Sequence, residues 1–244
     1  VSSPDCDLRQ VAETVGRDPG LSARLLSIVN SAAYAPRNPI VGVTQAVTMF
    51  GKNQLESMLI SLAASRVVAA KQPPAIDLTR FWNVSAWRAS AAAALSNHFD
   101  RARRSENFSA SLLEGIAIPL LASSQPRYRA LLADWQAGKG SLTDLEQETF
   151  GWTHKTVAGW LFEEWGFPLA LRDAVTESGD PEQGTAKYPL VRVVHSLGAN
   201  GEPEEVIEAT AKRITIVCDM PDDLAVALLE TTRTDSMVLA QSLA

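Results

Sequence analysis

Histidine and cysteine, which act as metal ligands and nucleophiles in many active sites, are rare in this sequence. The chain has three histidines, which are far apart, and its only cysteines are Cys6 and Cys218. The cysteines form no C-x-x-C pair, so the sequence predicts neither a zinc site nor a disulfide framework. The sequence also lacks a glycine-rich phosphate-binding loop and a G-x-S-x-G nucleophile motif. We therefore expect no catalytic residue.

Each histidine also has a structural interpretation. His154 comes just before an apolar helical pattern, so it is expected to be a hydrogen-bonded structural residue near a helix start. His195 lies on an apolar stretch, which favours a position in or near the core. His98 lies near a predicted helix end, where the helix dipole favours a positive charge. The carboxylate pair Glu163-Glu164 is most simply a solvated helix edge, because neighbours on a helix point about 100° apart.

Composition and charge limit the classes of function. A net charge of −6 opposes sequence-independent binding to nucleic acid, which relies on a basic surface. No apolar run reaches the roughly 20 residues that a transmembrane helix needs, and no signal peptide is evident. With only two cysteines, a reducing cytoplasm is the simplest expected location.

Helical spacing of apolar residues recurs along the whole chain, and no stretch shows sustained period-two alternation. The spacing predicts an all-α protein in which even the β-branched run 213–217 is helical or irregular. We expect a short helix over 44–50 that ends at Gly51, and an apolar helix over 108–121 that Pro119 interrupts. Thr143 and Glu146 are spaced as a capping box at the start of another helix. The six tryptophans are expected in the core, or with one or two as exposed binding anchors.

The stretch 17–64 contains a denser set of motifs. Asp18-Pro19 suits a helix start, because Asp caps free N–H groups and Pro needs no donor at the first position. A Leu-Leu pair, an Asn-Ser-Ala-x-Tyr turn and a G-x-x-x-L helix start then follow. Together these motifs resemble the signature of the HDOD domain, a bacterial signalling module. The signature residues are Asp18, Pro19, Leu25, Leu26, Asn30, Ser31, Ala32, Tyr34 and Gly51.

The HDOD domain resembles the HD superfamily of metal-dependent phosphohydrolases, which bind metal through a His, an adjacent His-Asp pair and a distant Asp. The resemblance places these ligands at Val84, at Glu114-Gly115 and near His195 or Ser196, and a usual family histidine at His154. Valine and glycine have no ligand atoms, and losing several ligands should abolish metal-activated hydrolysis. We call the six positions Val84, Glu114, Gly115, His154, His195 and Ser196 the remnant positions, and expect neither metal nor cofactor there.

The resemblance implies one all-α, two-lobed HDOD-like domain over residues 1–244. We expect an N-terminal HDOD-type bundle over 1–99, an HD-like helical lobe over 100–200 and a C-terminal helical extension over 201–244. It also implies a non-catalytic role in bacterial signal transduction through protein–protein interaction. The expected partner is a signalling protein or a linked signalling domain, of the cyclic-di-nucleotide or two-component type. No nucleic acid or membrane is expected as a partner.

Two alternatives stay open. The chain is a residual metal-dependent phosphohydrolase if Glu114, His154 and His195 converge and together bind a metal. In the other alternative, the remnant pocket binds a nucleotide or another small ligand without turning it over.

Overall fold

The described part of the chain is built from helices. The computed structural model describes residues 8–31, 36, 38–73, 76–177, 179–198 and 202–243, with the backbone alone at 52–54 and 57. These ranges contain no strand, which confirms the predicted all-α class. Two 3₁₀ turns cover Arg101–Arg103 and His195–Gly198. The α-helices are α1 (Leu8–Gly16), α2 (Pro19–Val29), α3 (Val43–Lys71), α4 (Leu78–Phe99), α5 (Arg104–Leu113), α6 (Ala117–Ser124), α7 (Pro126–Gln136), α8 (Leu142–Phe150), α9 (His154–Glu164), α10 (Leu169–Thr176), α11 (Pro189–Val194), α12 (Pro203–Cys218) and α13 (Asp222–Leu243).

Helix α2 begins at the Asp-Pro pair, as the sequence predicts. Asp18 Oδ1 accepts a hydrogen bond from the backbone N–H of Leu21 at 2.9 Å, and Pro19 is the first helical residue. This bond is the largest cause that lowers the pKa of Asp18. Leu25 of the same helix is fully buried, while Leu26 packs partly buried against the core.

Asn30 closes the loop that follows α2. Its side-chain amide accepts the N–H of Ile40 at 2.7 Å and donates to the Ile40 carbonyl at 2.8 Å. Ser31 donates to the Ile28 carbonyl at 2.7 Å. The two ends of the loop are therefore joined by one side chain. The signature residues Ala32 and Tyr34 lie outside the described residues.

Helix α3 contains the predicted break at Gly51. This residue has φ 70° and ψ −178°, a combination that is almost restricted to glycine. The first turns of α3 are therefore a separate helical segment before the break, as the sequence predicts.

Helix α4 lies at the centre of the molecule. Its alanines at 89 and 91–93 are fully buried, which lets α5 and α13 pack closely against it. One hydrophobic core extends from α1–α3 to α10, and a second lies between α4 and α11–α13. Helix α13 also contacts α2. None of the helices in the described ranges combines the length and hydrophobicity that crossing a membrane requires.

Two expected helix details are wrong. The break in the helix expected over 108–121 falls at residues 114–116, where i→i+3 hydrogen bonds replace the α-helical ones. Pro119 does not cause this break: it lies in the first turn of α6, where its missing N–H costs nothing. Helix α8 is capped by Ser141, which accepts the N–H of Asp144 at 3.2 Å, and not by Thr143. Glu146 is buried and accepts hydrogen bonds from Tyr128 and His154 instead.

Candidate functional site

All six remnant positions line one cavity of ≈ 380 Å³. The cavity lies between α4, the turn after α5, α8, the start of α9 and the end of α11. Much of its wall is apolar, so charged groups are confined to a small part of it. The apolar lining residues include Ile76, Phe81, Ile118, Trp135 and Leu142.

Helix α4 supplies one wall of this cavity. Asp77 caps the helix by accepting the N–H of Arg80 at 3.0 Å, which fixes where its turns fall. Val84 and Arg88 are one helical turn apart and therefore face the same side. A Cβ atom at Gly198 would lie 2.1 Å from Arg88 Nη2. Only glycine at this position leaves room for the Arg88 guanidinium.

Glu114 is the centre of a buried charge cluster. Its side chain is 1% exposed, and its Oε1 lies 2.5 Å from Arg192 Nη1 and 3.4 Å from Lys155 Nζ. Its Oε2 lies 2.9 Å from His195 Nδ1. Arg88 Nη2 donates to the backbone carbonyl of His195 at 2.6 Å and so borders the cluster from α4. We call Arg88, Glu114, Lys155, Arg192 and His195 the Glu114 cluster.

Charges within this cluster set the protonation states of its members. Burial alone would raise the pKa of Glu114, but His195, Lys155 and Arg88 together hold it well below its usual value. The carboxylate attracts the His195 proton, yet burial and repulsion by Arg88 and Lys155 outweigh this and lower the pKa of His195 to about 4. Near neutral pH the cluster therefore holds an ionised Glu114 beside an uncharged imidazole.

The residues present do not fit the metal ions of HD-type hydrolases. Val84 and Gly115 contribute no ligand atom, and Ser196 directs its hydroxyl to a backbone carbonyl of α11 at 2.9 Å. Glu114 Oε1 already pairs with cations, whereas Glu114 Oε2 has no hydrogen-bond partner among the described residues. Within the described ranges, no group of three His, Cys, Asp or Glu side chains is arranged to hold a metal ion. Hydrolytic metal sites need several such ligands at once.

His154 belongs to a second buried network. Glu146 Oε2 accepts the backbone N–H of His154 at 2.9 Å and lies 2.8 Å from its ring Nδ1. Glu146 Oε1 accepts the hydroxyl of Tyr128. Burial, assisted by Glu146, raises the pKa of Tyr128, so this hydroxyl stays a donor. Glu146 therefore joins α7, α8 and α9, and His154 brings this network to the edge of the cavity.

A polar groove lies on the other side of the Glu114 cluster. Lys155, Arg192 and His195 line this groove, and His195 also lines the cavity, so the cluster separates the two spaces. Four threonines contribute hydroxyls to the groove, and Trp160 at its rim is 57% exposed. Trp82 and Trp87 are buried, so the tryptophans divide between core and surface. The groove threonines are Thr143, Thr153, Thr156 and Thr176.

Comparison with known proteins agrees with this architecture. The sequence model of the HDOD domain matches residues 1–181. The chain belongs to the HDOD-domain family. Its first 181 residues, which include α1 to α10 and every remnant position except His195 and Ser196, fall within that match.

Solved structures share the fold of this HDOD chain. A provisionally named phosphohydrolase from Shewanella amazonensis has a TM-score of 0.76 at 21% identity, covering 99% of this chain and 89% of the other. An HDOD domain protein of unknown function from Geobacter sulfurreducens has a TM-score of 0.73 at 16% identity, covering 100% and 88%. At these identities the likeness concerns the fold alone.

A sequence relative has been catalogued without a function. It is an uncharacterized protein from Treponema pallidum (strain Nichols), 23% identical over 199 residues. The match covers 80% of this HDOD chain but only 38% of the relative, which is a much longer protein.

Sequence reasoning missed three cations and two members of the His154 network. Arg88 and Arg192 are isolated charges within apolar helical stretches, and Lys155 follows His154 directly. A charge in an otherwise buried stretch signals a buried ion pair, because such residues are rarely buried unpaired. Tyr128 and Glu146 carried no comparable signal, since their partners come from other helices.

Proposed function

We propose that this HDOD chain is a non-catalytic signalling module that acts in the bacterial cytoplasm through contacts with other proteins. The observation that carries the proposal is the set of cations around Glu114. HD-type hydrolysis needs carboxylates and imidazoles that are free to bind metal and so activate water. Here Arg192 and Lys155 already neutralise the one buried carboxylate at that location.

The proposed partner is a signalling protein or a linked signalling domain, of the cyclic-di-nucleotide or two-component type. Membership of the HDOD family supports this proposal. A structural relative from Marinobacter aquaeolei, with a TM-score of 0.66 at 19% identity over 99% of this chain and 56% of that one, is provisionally named as a signal transduction protein. The net charge of −6 argues against nucleic acid as the partner.

Residual phosphohydrolase activity is the competing function. It draws support from Glu114, His154 and His195, which line the same cavity. Their contacts oppose it, because Glu114 pairs with cations and His154 Nδ1 lies against Glu146. Glu114 and His154, engaged in this way, are not free to serve as ligands for a metal ion.

Metal content tests the non-catalytic part of the proposal. The purified chain is incubated with manganese, iron or nickel, desalted and analysed for bound metal, and phosphodiester and phosphomonoester hydrolysis is assayed in parallel. We expect metal far below one equivalent per chain and no turnover. Metal near one equivalent that disappears in Glu114→Gln and His154→Ala, together with turnover, would show that the site is active.

Affinity capture tests the signalling part. The intact chain serves as bait in extracts of the cells that make it, and quantitative mass spectrometry compares the captured proteins with those from an unrelated helical bait. We expect enrichment of a signalling protein. Absence of any enriched signalling protein, with no signalling domain in the same gene product, would contradict the proposal.

A further inference from the structure

The Glu114 cluster contains more positive than negative charge. Arg88, Lys155 and Arg192 lie around a single carboxylate, that of Glu114. Two positive charges are therefore not balanced within the cluster. Lys155 and Arg192 have side chains only 10% and 15% exposed, so solvent compensates them poorly. Buried charges of this kind are normally paired.

Hydrogen-bond donors in the cluster are also left over. Among the described residues, the Nε atoms of Arg88 and Arg192 are buried and have no hydrogen-bond partner. Lys155 carries three donors, and its Nζ lies 3.4 Å from Glu114 Oε1. The cluster therefore has excess positive charge, and Arg192, which lines the groove, has an unused donor that an anion bound there would satisfy.

The groove gives such an anion a route to Lys155 and Arg192. Both side chains line it, and Lys155 lies in the first turn of α9, where the helix dipole is positive. Arg172 also lines the groove, but Glu163 lies 3.2 Å from it and takes up its charge. The Thr176 hydroxyl already donates to the Arg172 carbonyl at 2.9 Å, while the other threonine hydroxyls around the groove can donate to further oxygens.

We propose that the groove binds a phosphate-bearing small molecule, with the phosphate held by Lys155 and Arg192 against the Glu114 cluster. A phosphate monoester carries close to two negative charges near pH 7 and several acceptor oxygens, which matches the excess charge and the unused donors. Guanidinium groups suit phosphate because they donate two parallel hydrogen bonds. The exposed Trp160 ring at the rim can stack on a flat group attached to the phosphate, so a nucleoside monophosphate is the ligand class that fits best. This inference rests on the proposed function, since the site holds the phosphate without cleaving it.

The test measures binding of inorganic phosphate and of AMP to the intact chain in EDTA, by calorimetry and thermal shift. We expect saturable binding of both, tighter for AMP, and weaker as salt is added. Arg192→Gln should weaken binding about tenfold or more, since it removes a charged hydrogen-bond donor. Trp160→Ala should remove only the advantage of AMP over phosphate. Arg213→Gln is the matched control, because this arginine forms a surface ion pair with Glu182 outside the groove.

Glu114→Gln supplies a test with the opposite sign. The substitution removes the negative charge that competes with the anion, so phosphate should bind about tenfold more tightly and stabilise this variant more than the wild type. If the variant is too unstable to purify without phosphate, recovery of the fold upon adding phosphate gives the same information. A charge cluster with a purely structural role would show neither effect.

The outcomes separate this inference from the proposed function. Failure of phosphate and AMP to bind at millimolar concentration, or equal affinity in Arg192→Gln and Arg213→Gln, would overturn the groove site and leave the non-catalytic proposal standing. Release of phosphate from AMP upon adding metal would overturn the non-catalytic proposal and leave the groove as a substrate site. Should Arg192→Gln fail to fold, Lys155→Gln with the same control decides the question.

Discussion

Loss of Glu146 should destabilise the whole chain through the network that joins α7, α8 and α9. Its carboxylate is fully buried, accepts the Tyr128 hydroxyl and the His154 backbone N–H, and lies 2.8 Å from His154 Nδ1. Glu146→Ala leaves these buried polar groups without their acceptor. Each such group costs about 1–3 kcal/mol, and breaking a buried charged network typically costs about 3–5 kcal/mol. We therefore expect a loss of about 3–5 kcal/mol in the free energy of unfolding.

Urea denaturation followed by circular dichroism measures this loss. For a chain of this size, about 2–4 °C of melting temperature accompanies each kcal/mol, so the melting temperature should fall by roughly 6–20 °C. Glu146→Gln should cost less, about 1–2 kcal/mol, because one oxygen still accepts and the Tyr128 hydroxyl can rotate to accept from the amide. The control is Glu148→Ala, two residues further along α8 and exposed, which should change stability by less than about 0.5 kcal/mol.

A double variant identifies the cause of the loss. Tyr128→Phe removes the hydroxyl that Glu146→Ala leaves unpaired, so the two substitutions together should cost less than the sum of their separate effects. If Glu146→Ala and Glu148→Ala lowered stability equally, the network would contribute nothing and the reasoning would fail. Strict additivity with Tyr128→Phe would instead show that the hydroxyl bond is not the source.

Three further predictions concern pH and glycine positions. The pKa of His195 is about 4 in the folded chain and near 6.5 when unfolded. Because the unfolded state therefore binds a proton first as the pH drops, the free energy of unfolding should fall between about pH 6.5 and about pH 4. Urea denaturation midpoints measured across this window should vary less in His195→Gln than in the wild type. Gly159→Ala should cost about 1 kcal/mol in thermal melts, because its Cβ would lie 2.7 Å from Thr176 Cγ2, and Thr176→Ser should relieve the cost. Gly51→Ala should cost about 1–3 kcal/mol by urea denaturation, because of its positive φ, whereas Gly16→Ala should not destabilise the chain.

Local chemistry made much of the fold predictable. Asp18 and Pro19 start a helix by interacting with their immediate neighbours, and Gly51 breaks one through its own backbone conformation. These effects act within a few residues, so the sequence displays them directly. The same local reasoning mislocated the break near Pro119, because a proline interrupts a helix interior but fits a first turn equally well.

Tertiary convergence was not predictable in the same way. Glu146 is spaced from Thr143 as a capping-box residue, yet its partners Tyr128 and His154 come from other helices. The cluster around Glu114 likewise draws Arg88, Lys155 and Arg192 from three helices that are far apart in sequence. Spacing within one helix predicts which residues share a face, but it does not say which faces meet. The resemblance to the HD superfamily predicts only where metal ligands would lie, and it gives no information about the three cations.

The cations around Glu114 connect the two proposals about this site. In an HD-type enzyme, bound metal supplies positive charge and activates water; a guanidinium or an ammonium group supplies positive charge without a coordination site for water. Replacing metal by Arg88, Lys155 and Arg192 would therefore keep a buried carboxylate compensated while removing the hydrolytic step. The same three side chains outnumber the carboxylate, and the Nε atoms of Arg88 and Arg192 have no hydrogen-bond partner in the described part of the chain. On the two proposals, loss of catalysis and metal-free phosphate binding would have a common origin in these cations, and Glu114→Gln tests the second, which predicts tighter phosphate binding.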